Sequence, residues 1–469
     1  MASAPPAPRA SQPLPFADPQ QLDPALQDFL DQATAQLCRW LGSAALRPPL
    51  PGLSVLPAVE PQQLGLSSDT LLRDLQLVID GAYNPNHPGA LAHLDPPPLQ
   101  ASVVGDLICA GLNNNMLAEE LSPSLSRLER SLLAWLAERL GLPAGSGGVA
   151  ASGGTLSNLM ALVTARRSRG LQTCQEAVVL ASTDAHVSLA KSIAVMGLPA
   201  SALQTIAVDC EGRLEVEQLQ ARLEALAAAG IPVLAVVATA GTTVRGAVDP
   251  LGPIAALCRR HGVWLHVDGA IGAVFGLAAG HADRVEGLGF ADSITLNPQK
   301  LLGITKTSSV LLLAQPQTLA DAFGTGLPYM EPSWGGGHGG DTGLQGTRPA
   351  EILKLWLGLR QLGLTGIEAI LDGAIARRRH LQALLVSDTD LVLRSGPLHL
   401  LAFTPASGDA AYAEEWSQRT RQALLAEQLM LSRPWYQGRH HLKAVLGNPH
   451  TQSSHLVHLA QLVRGQSKP

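Results

Sequence analysis

Apolar residues recur with helical spacing at Leu26, Phe29, Leu30, Ala33, Leu37 and Trp40, which predicts an amphipathic helix over 23–41. A proline-rich linker over 48–61 separates it from a second helix over 71–79. A third helix is predicted over 119–140, starting near Ser122-Pro123 and closed by Gly141, which suits a left-handed cap. From there the pattern alternates. Helices are expected over 157–169, 188–196, 215–229 and 250–261, and short apolar strands over 177–181, 203–208, 233–239, 264–267, 293–296 and 309–313. Continuously apolar strands between amphipathic helices indicate a mostly parallel sheet covered on both faces, hence an α/β fold.

A glycine-rich segment over 334–346 interrupts the pattern and is expected to be mobile. Helix resumes over 350–362 and 366–385, and shorter strands and helices follow from Leu391 onward. The reading is a disordered tail over 1–24, an N-terminal helical dimerisation segment over 25–85, a large domain over 86–345 and a smaller C-terminal α/β domain over 346–469.

Composition narrows the function classes. The 469 residues are 46% hydrophobic but only 4% aromatic, enough for a substantial core built mainly from Leu, Ala and Val. A net charge of −5, with no block of like charges, argues against nucleic acid as a partner. The five cysteines are scattered and form no C-x-x-C pair, so no metal is expected and a reduced, cytoplasmic setting is. No apolar run reaches the roughly 18 residues that a membrane span needs, and residues 1–24 lack the apolar segment of a secretion signal.

The chemistry gathers at the predicted strand ends. Ser152-Gly153-Gly154-Thr155 precedes a helix, where glycines admit close approach and free amides attract phosphate. His186 follows one strand, and Ala238-Thr239-Ala240-Gly241-Thr242-Thr243 ends another. His266-Val267-Asp268-Gly269-Ala270 ends a third in a carboxylate, and Asn297-Pro298-Gln299-Lys300 is read as a further strand end carrying an amine. Each motif alone has an ordinary structural explanation: a turn, a cap, a polar loop or a surface charge. Together they point to one crevice outside the carboxyl ends of a sheet. A lysine amine and a separate buried carboxylate are what pyridoxal phosphate requires, the amine for its aldehyde and the carboxylate for its ring nitrogen.

These motifs stand in the order of the group II pyridoxal-dependent decarboxylases, and the chain resembles that family from about Pro85 to Leu362. The resemblance is also carried by His93-Leu94-Asp95-Pro96-Pro97, by Ser124-Leu125-Ser126-Arg127-Leu128-Glu129, by 152–162, by Asp184-Ala185-His186, and by Thr347-Arg348 with Leu353-Lys354-Leu355-Trp356. It implies the fold type I of pyridoxal-phosphate enzymes, a homodimer with active sites at the subunit interface, and decarboxylation of an L-amino acid. Lys300 would carry the cofactor as an internal aldimine, Asp268 would pair with the pyridinium nitrogen, His186 would stack on the ring and Ala270 would pack on its other side. Gly154, Thr155, Thr242 and Asn297 match positions around the phosphate and the ring oxygen.

Two positions depart from the family. Gln299 stands where a histidine is usual, and the mobile loop over 334–341 has no tyrosine to return a proton to the substrate carbon. His338 is the candidate donor within this loop, with solvent or the partner subunit as alternatives. Arg348 is a candidate for holding a substrate carboxylate, against an ion pair at a helix start, perhaps with Glu351. The missing tyrosine keeps two other readings open: an aldehyde-forming deaminase or carbon–carbon or carbon–sulfur lyase, and a catalytically silent homologue that binds the cofactor.

Overall fold

The computed structural model describes residues 14–52, 55–326, 330, 334, 337–386 and 390–467. They belong to two compact units whose boundary falls between Asn84 and Pro85. The first unit carries α1 (Pro24–Gly42) and α2 (Ser68–Asp80). Asp23 caps α1 by accepting from the Ala25 and Leu26 N–H groups, with Pro24 in the first turn. Ser67 caps α2 through the Thr70 N–H. Gln36 Nε2 donates to the Leu72 carbonyl at 2.9 Å and ties the two helices together. Residues 14–22 ahead of α1 are exposed, and residues 1–13 of the expected tail lie outside the described residues.

The second unit begins with α3 (Gln100–Leu112) and α4 (Pro123–Arg139). The alternating region follows as β1 (Gly147–Ala151), α5 (Gly154–Ser168), β2 (Val178–Ser182), α6 (Ser188–Val195), β3 (Leu203–Ile206), α7 (Val216–Ala228) and β4 (Val233–Thr239). It continues through α8 (Leu251–His261), β5 (Trp264–Asp268), β6 (Ser293–Leu296), α9 (Pro298–Leu301), β7 (Ser309–Leu313) and α10 (Gln317–Phe323). The long α11 (Ile352–Val386) turns at Gly363, whose φ of 60° and ψ of 178° break the helical path where the sequence predicts a gap between two helices. Last come β8 (Leu391–Arg394), β9 (Leu400–Pro405), α12 (Ala410–Ala426), β10 (Trp435–Tyr436), β11 (Arg439–His440), β12 (Leu442–Val445) and α13 (Ser453–Ser467).

Seven strands form the main sheet in the order β1-β7-β6-β5-β4-β2-β3, parallel throughout except for β7, which runs antiparallel to both neighbours. Every residue of β4 is buried: Val236 and Ala238 face one core, and Ala235 and Val237 face the other. That two-sided burial is why β4 reads as an unbroken apolar run. Three of the five C-terminal strands form a separate antiparallel sheet, β12-β9-β8, over a core of Leu401, Phe403, Trp416, Leu442 and Leu456, and β10 pairs with β11.

Three features differ from the sequence reading. Strand β1 was not anticipated, since its Gly147-Gly148 start carries no strand signal; a Cβ at residue 148 would lie 2.0 Å from the Leu311 carbonyl oxygen, so the antiparallel ladder itself demands glycine. Helix α3 was missed because its polarity is inverted. Ser102 and Gly105 face inward, and a Cβ on Gly105 would come within 2.6 Å of Lys354 Cα, while Val104, Leu107, Ile108 and Leu112 face solvent. Lys300 stands in the short helix α9 after β6 and not at a strand end. Among the described residues, no helix is long and apolar enough to cross a membrane.

Leu312 is fully buried in β7 between Gly148 of β1 and Ile294 of β6. Leu312→Ala is expected to cost about 2–5 kcal/mol, read as a lower urea midpoint, because a close-packed sheet core relaxes poorly around a cavity.

Candidate active site

Strands β1, β2, β4, β5 and β6 bring their following loops to one edge of the sheet, around a cavity of about 280 Å³. Ser152, Gly153, Gly154, Thr155, Asn158, Asp184, His186, Thr242, Asp268, Ala270, Asn297, Gln299 and Lys300 are among its lining residues. All eight residues that the family resemblance assigns to the cofactor therefore meet at one place.

The wall formed by α5 is suited to an anion. Gly153 takes φ 96° at the helix start, a conformation that glycine reaches without strain, and aims the first free amides of the helix at the cavity. A Cβ on Gly154 would come 2.9 Å from the Asn297 side chain. The Asn297 carboxamide bridges Ser309 Oγ at 2.6 Å and the Gly154 N–H at 3.3 Å, which locks the loop after β6 to the start of α5. Thr242 Oγ1 accepts from the Ala247 N–H at 3.0 Å and keeps its own proton to donate.

Asp268 ends β5 and is almost fully buried. Its Oδ2 accepts from Asn158 Nδ2 at 2.8 Å and its Oδ1 from the Ala270 N–H at 3.2 Å. Asn158 Nδ2 also donates to Ser188 Oγ at 2.9 Å, and its Oδ1 accepts from Thr295 Oγ1 at 2.8 Å and faces His266 Nε2 at 3.1 Å. Since Asn158 Oδ1 accepts, His266 must donate from Nε2, leaving Nδ1 to accept from Ser293 Oγ at 2.9 Å. Burial pushes the His266 pKa down from 6.5 to about 4, against the opposing pull of Asp268. His266 is therefore a neutral part of the support.

Lys300 projects into the cavity, and burial pushes its pKa below the ordinary lysine value, only partly offset by Asp268 and Asp95. His186 holds its ring with Nδ1 accepting from the Ser188 N–H at 3.2 Å, and burial lowers its pKa as well. Gln299 turns its Oε1 to the Ser308 N–H at 2.5 Å, so the amide that replaces the family's usual histidine serves first as a tie within its own loop.

Two sequence candidates fall outside this lining. His338 is buried with Nδ1 accepting from the Glu119 N–H at 3.3 Å, so its ring is turned to the backbone at Glu119. Arg348 is buried with its fork on Glu129, at 2.8 Å from Nη1 to Oε2 and 2.6 Å from Nη2 to Oε1. Its donors are taken, which corrects the expectation of a free carboxylate holder, and the partner is Glu129 instead of Glu351, which accepts from Thr307 Oγ1. The described part of the glycine-rich segment is tied down through Gly340 N–H to the Leu117 carbonyl and through Gln345 to Ser152; Tyr329, Gly335 and Gly336 lie outside the described residues.

Other residues were not singled out by sequence. Lys443 of β12 is buried, donates to the Thr243 carbonyl at 3.3 Å, and has its pKa pushed down to about 8 by burial and by the charge of Lys300. A lysine between Leu442 and Ala444 in an otherwise apolar strand is its only local signal. Asn158 sits inside the quoted 152–162 stretch, but its role as the carrier of Asp268 emerges only from the packing.

A neutral histidine in the native state loses protons relative to the unfolded chain, so unfolding takes protons up below pH 6.5. Stability is therefore expected to be full above that pH and to fall as pH drops toward about 4, with His266 contributing up to about 1.4 kcal/mol per pH unit. Urea unfolding at a series of pH values checks this, and His266→Gln is expected to flatten the acid limb.

Comparison with known proteins agrees with the arrangement. The model of the pyridoxal-dependent decarboxylase conserved domain matches residues 55–402. The chain is 32% identical over 437 residues to an L-2,4-diaminobutyrate decarboxylase of Rhizobium meliloti (strain 1021), covering 91% of this chain and 86% of that one. It is 31% identical over 365 residues to cysteine sulfinic acid decarboxylase of Rattus norvegicus, covering 74% and 72%. The fold superposes on a crystal structure of Oryza sativa TDC with PLP and tryptamine with a TM-score of 0.88 at 22% identity, covering 96% and 99% of the two chains. At that identity the likeness speaks for the fold alone. A cavity with an amine, a buried carboxylate and a helix-end anion seat, within a domain match over most of its length, makes the chain a member of the pyridoxal-dependent decarboxylase family.

Proposed function

We propose that Lys300 anchors pyridoxal phosphate in this cavity and that the protein uses it to release the α-carboxyl group of an L-amino acid as carbon dioxide. The observation that carries the residue assignment is that Lys300 and Asp268 line the same cavity. The bound cofactor supplies the electron sink for the pair left by the broken carbon–carbon bond. Burial favours the neutral amine of Lys300, the form able to bond an aldehyde carbon. Asp268, held at both oxygens, presents a fixed negative charge to a protonated ring nitrogen. His186 and Ala270 bracket the ring plane; the Thr155 amide and the Thr242 hydroxyl receive phosphate oxygens, on a seat shaped by the contact between Gly154 and Asn297.

Lys443 is the cation proposed for a substrate carboxylate, since it is buried beside the cavity wall at Thr243 without a carboxylate partner among the described residues. A homodimer is proposed on the outward apolar faces of α1, α2 and α3, where Leu26 and Leu30, Leu71, Leu75 and Val78, and Val104, Leu107, Ile108 and Leu112 are exposed. Five unpaired cysteines support a cytoplasmic setting.

His338 brings no acid to the cavity of its own chain, and that observation favours aldehyde-forming deamination as the second reading. Product analysis separates the two: carbon dioxide with an amine supports decarboxylation, while ammonia and peroxide support deamination.

The loaded protein is expected to be yellow and to release carbon dioxide. Lys300→Ala should lose the visible absorbance and at least about 10³-fold in turnover. Lys443→Met should keep the absorbance and raise KM by about 10- to 100-fold, the loss of one charged hydrogen bond. A variant at Lys300 with unchanged absorbance would sink the anchor assignment.

A further inference from the structure

With the residues proposed for the cofactor set aside, one charge on the cavity wall is unclaimed. Asp268 has both oxygens engaged. Asp184 is the other carboxylate among the lining residues. Tyr436, from β10, donates its hydroxyl to Asp184 Oδ2 at 2.6 Å, across a sequence separation of 252 residues. That bond fixes the carboxylate and leaves Oδ1 without a hydrogen bond among the described residues. Burial raises the Asp184 proton affinity, which the Tyr436 bond and Arg245 oppose. Arg245 does not line the cavity and turns its Nη2 to the Cys210 carbonyl at 3.2 Å. His186, two residues along, has a lowered pKa and supplies no compensating charge at neutral pH. Lys300, the other charged group lining the cavity, is taken by the cofactor.

We infer that Asp184, clamped by Tyr436, receives the cationic end of the substrate side chain, so that the protein prefers amino acids bearing a second ammonium group over neutral and acidic ones of equal length. This rests on the decarboxylase reading of the same cavity. An ammonium against Oδ1 forms a charge-assisted hydrogen bond. The tyrosine clamp holds the acceptor in place before binding, so little side-chain entropy is lost when substrate arrives. An acidic side chain would meet a like charge in a partly desolvated wall, and a neutral one would leave the carboxylate unmatched.

The cofactor-loaded enzyme is assayed with ornithine, norvaline and glutamate, which have main chains of equal length. Ornithine is expected to lead in kcat/KM by about 10- to 100-fold. In D184N that lead should vanish, through KM and not kcat. Affinity for amines gives a readout without turnover: by calorimetry, putrescine should bind the wild type about 10- to 100-fold more tightly than butylamine and about equally in D184N. Y436F, which keeps the carboxylate and removes its clamp, should give an intermediate ratio.

Equal use of norvaline or glutamate, or a putrescine-to-butylamine ratio near unity in the wild type, overturns the inference. So does a ratio that D184N leaves unchanged. Should D184N fail to fold, the wild-type ratio and Y436F decide the matter. Absence of carbon dioxide from every amino acid would sink the decarboxylase reading, while the amine affinities would still judge Asp184.

Discussion

The Asn158 carboxamide is the contact on which the site depends. It lies fully inside the protein, donates to Asp268 and Ser188, accepts from Thr295 and receives the ring N–H of His266. An interior amide must satisfy both of its ends, because an unmatched polar group there costs more than the bond it forgoes. Asn158 can do so only where α5, the start of α6, β5 and β6 all meet. Matching it therefore fixes the register of one helix against two strands. The helix end that faces the phosphate wall and the carboxylate that faces the ring position are thereby held at a set separation.

The same network explains the protonation states around it. His266 is neutral because it is fully buried and its two nitrogens already have one acceptor and one donor to match. Asp268 is held by two N–H donors, one from a side chain and one from the backbone at Ala270. Lys300, on α9, lines the same cavity, where burial lowers its pKa. Charge placement here follows from sheet topology, since each group leaves a different strand at the same edge.

The C-terminal segment is bonded to residues of the cavity lining. Lys443 from β12 reaches the Thr243 carbonyl and Tyr436 from β10 reaches Asp184, so elements far along the chain set the polarity of walls built by the central sheet. The outward apolar face of α3 is the reverse of an ordinary surface helix, with small residues packed inward to admit α11 closely. Packing distance, more than hydrophobicity, decided which of its faces is buried.

Features fixed by neighbours a few residues away were legible in the sequence. The apolar run of β4 follows from burial on both faces, and Gly363 breaks a helix through its own backbone angles where a gap between two helices was expected. The Asp268 motif was legible as the end of strand β5, whereas Lys300, expected at a strand end, stands in the short helix α9 that follows β6. What the sequence left open was every pairing across long separations. Arg348 stood between a substrate carboxylate and a local ion pair, and the fold pairs it with Glu129, 219 residues away; His338 was one candidate donor, and the fold turns its ring to the Glu119 backbone. Strand β1 went unassigned because its glycines are required by the distant Leu311 carbonyl and not by any local pattern. Local propensity and periodicity record what a residue prefers, whereas burial and ion pairing depend on which distant group the fold brings within bonding distance, and that is decided only when the strands and helices pack.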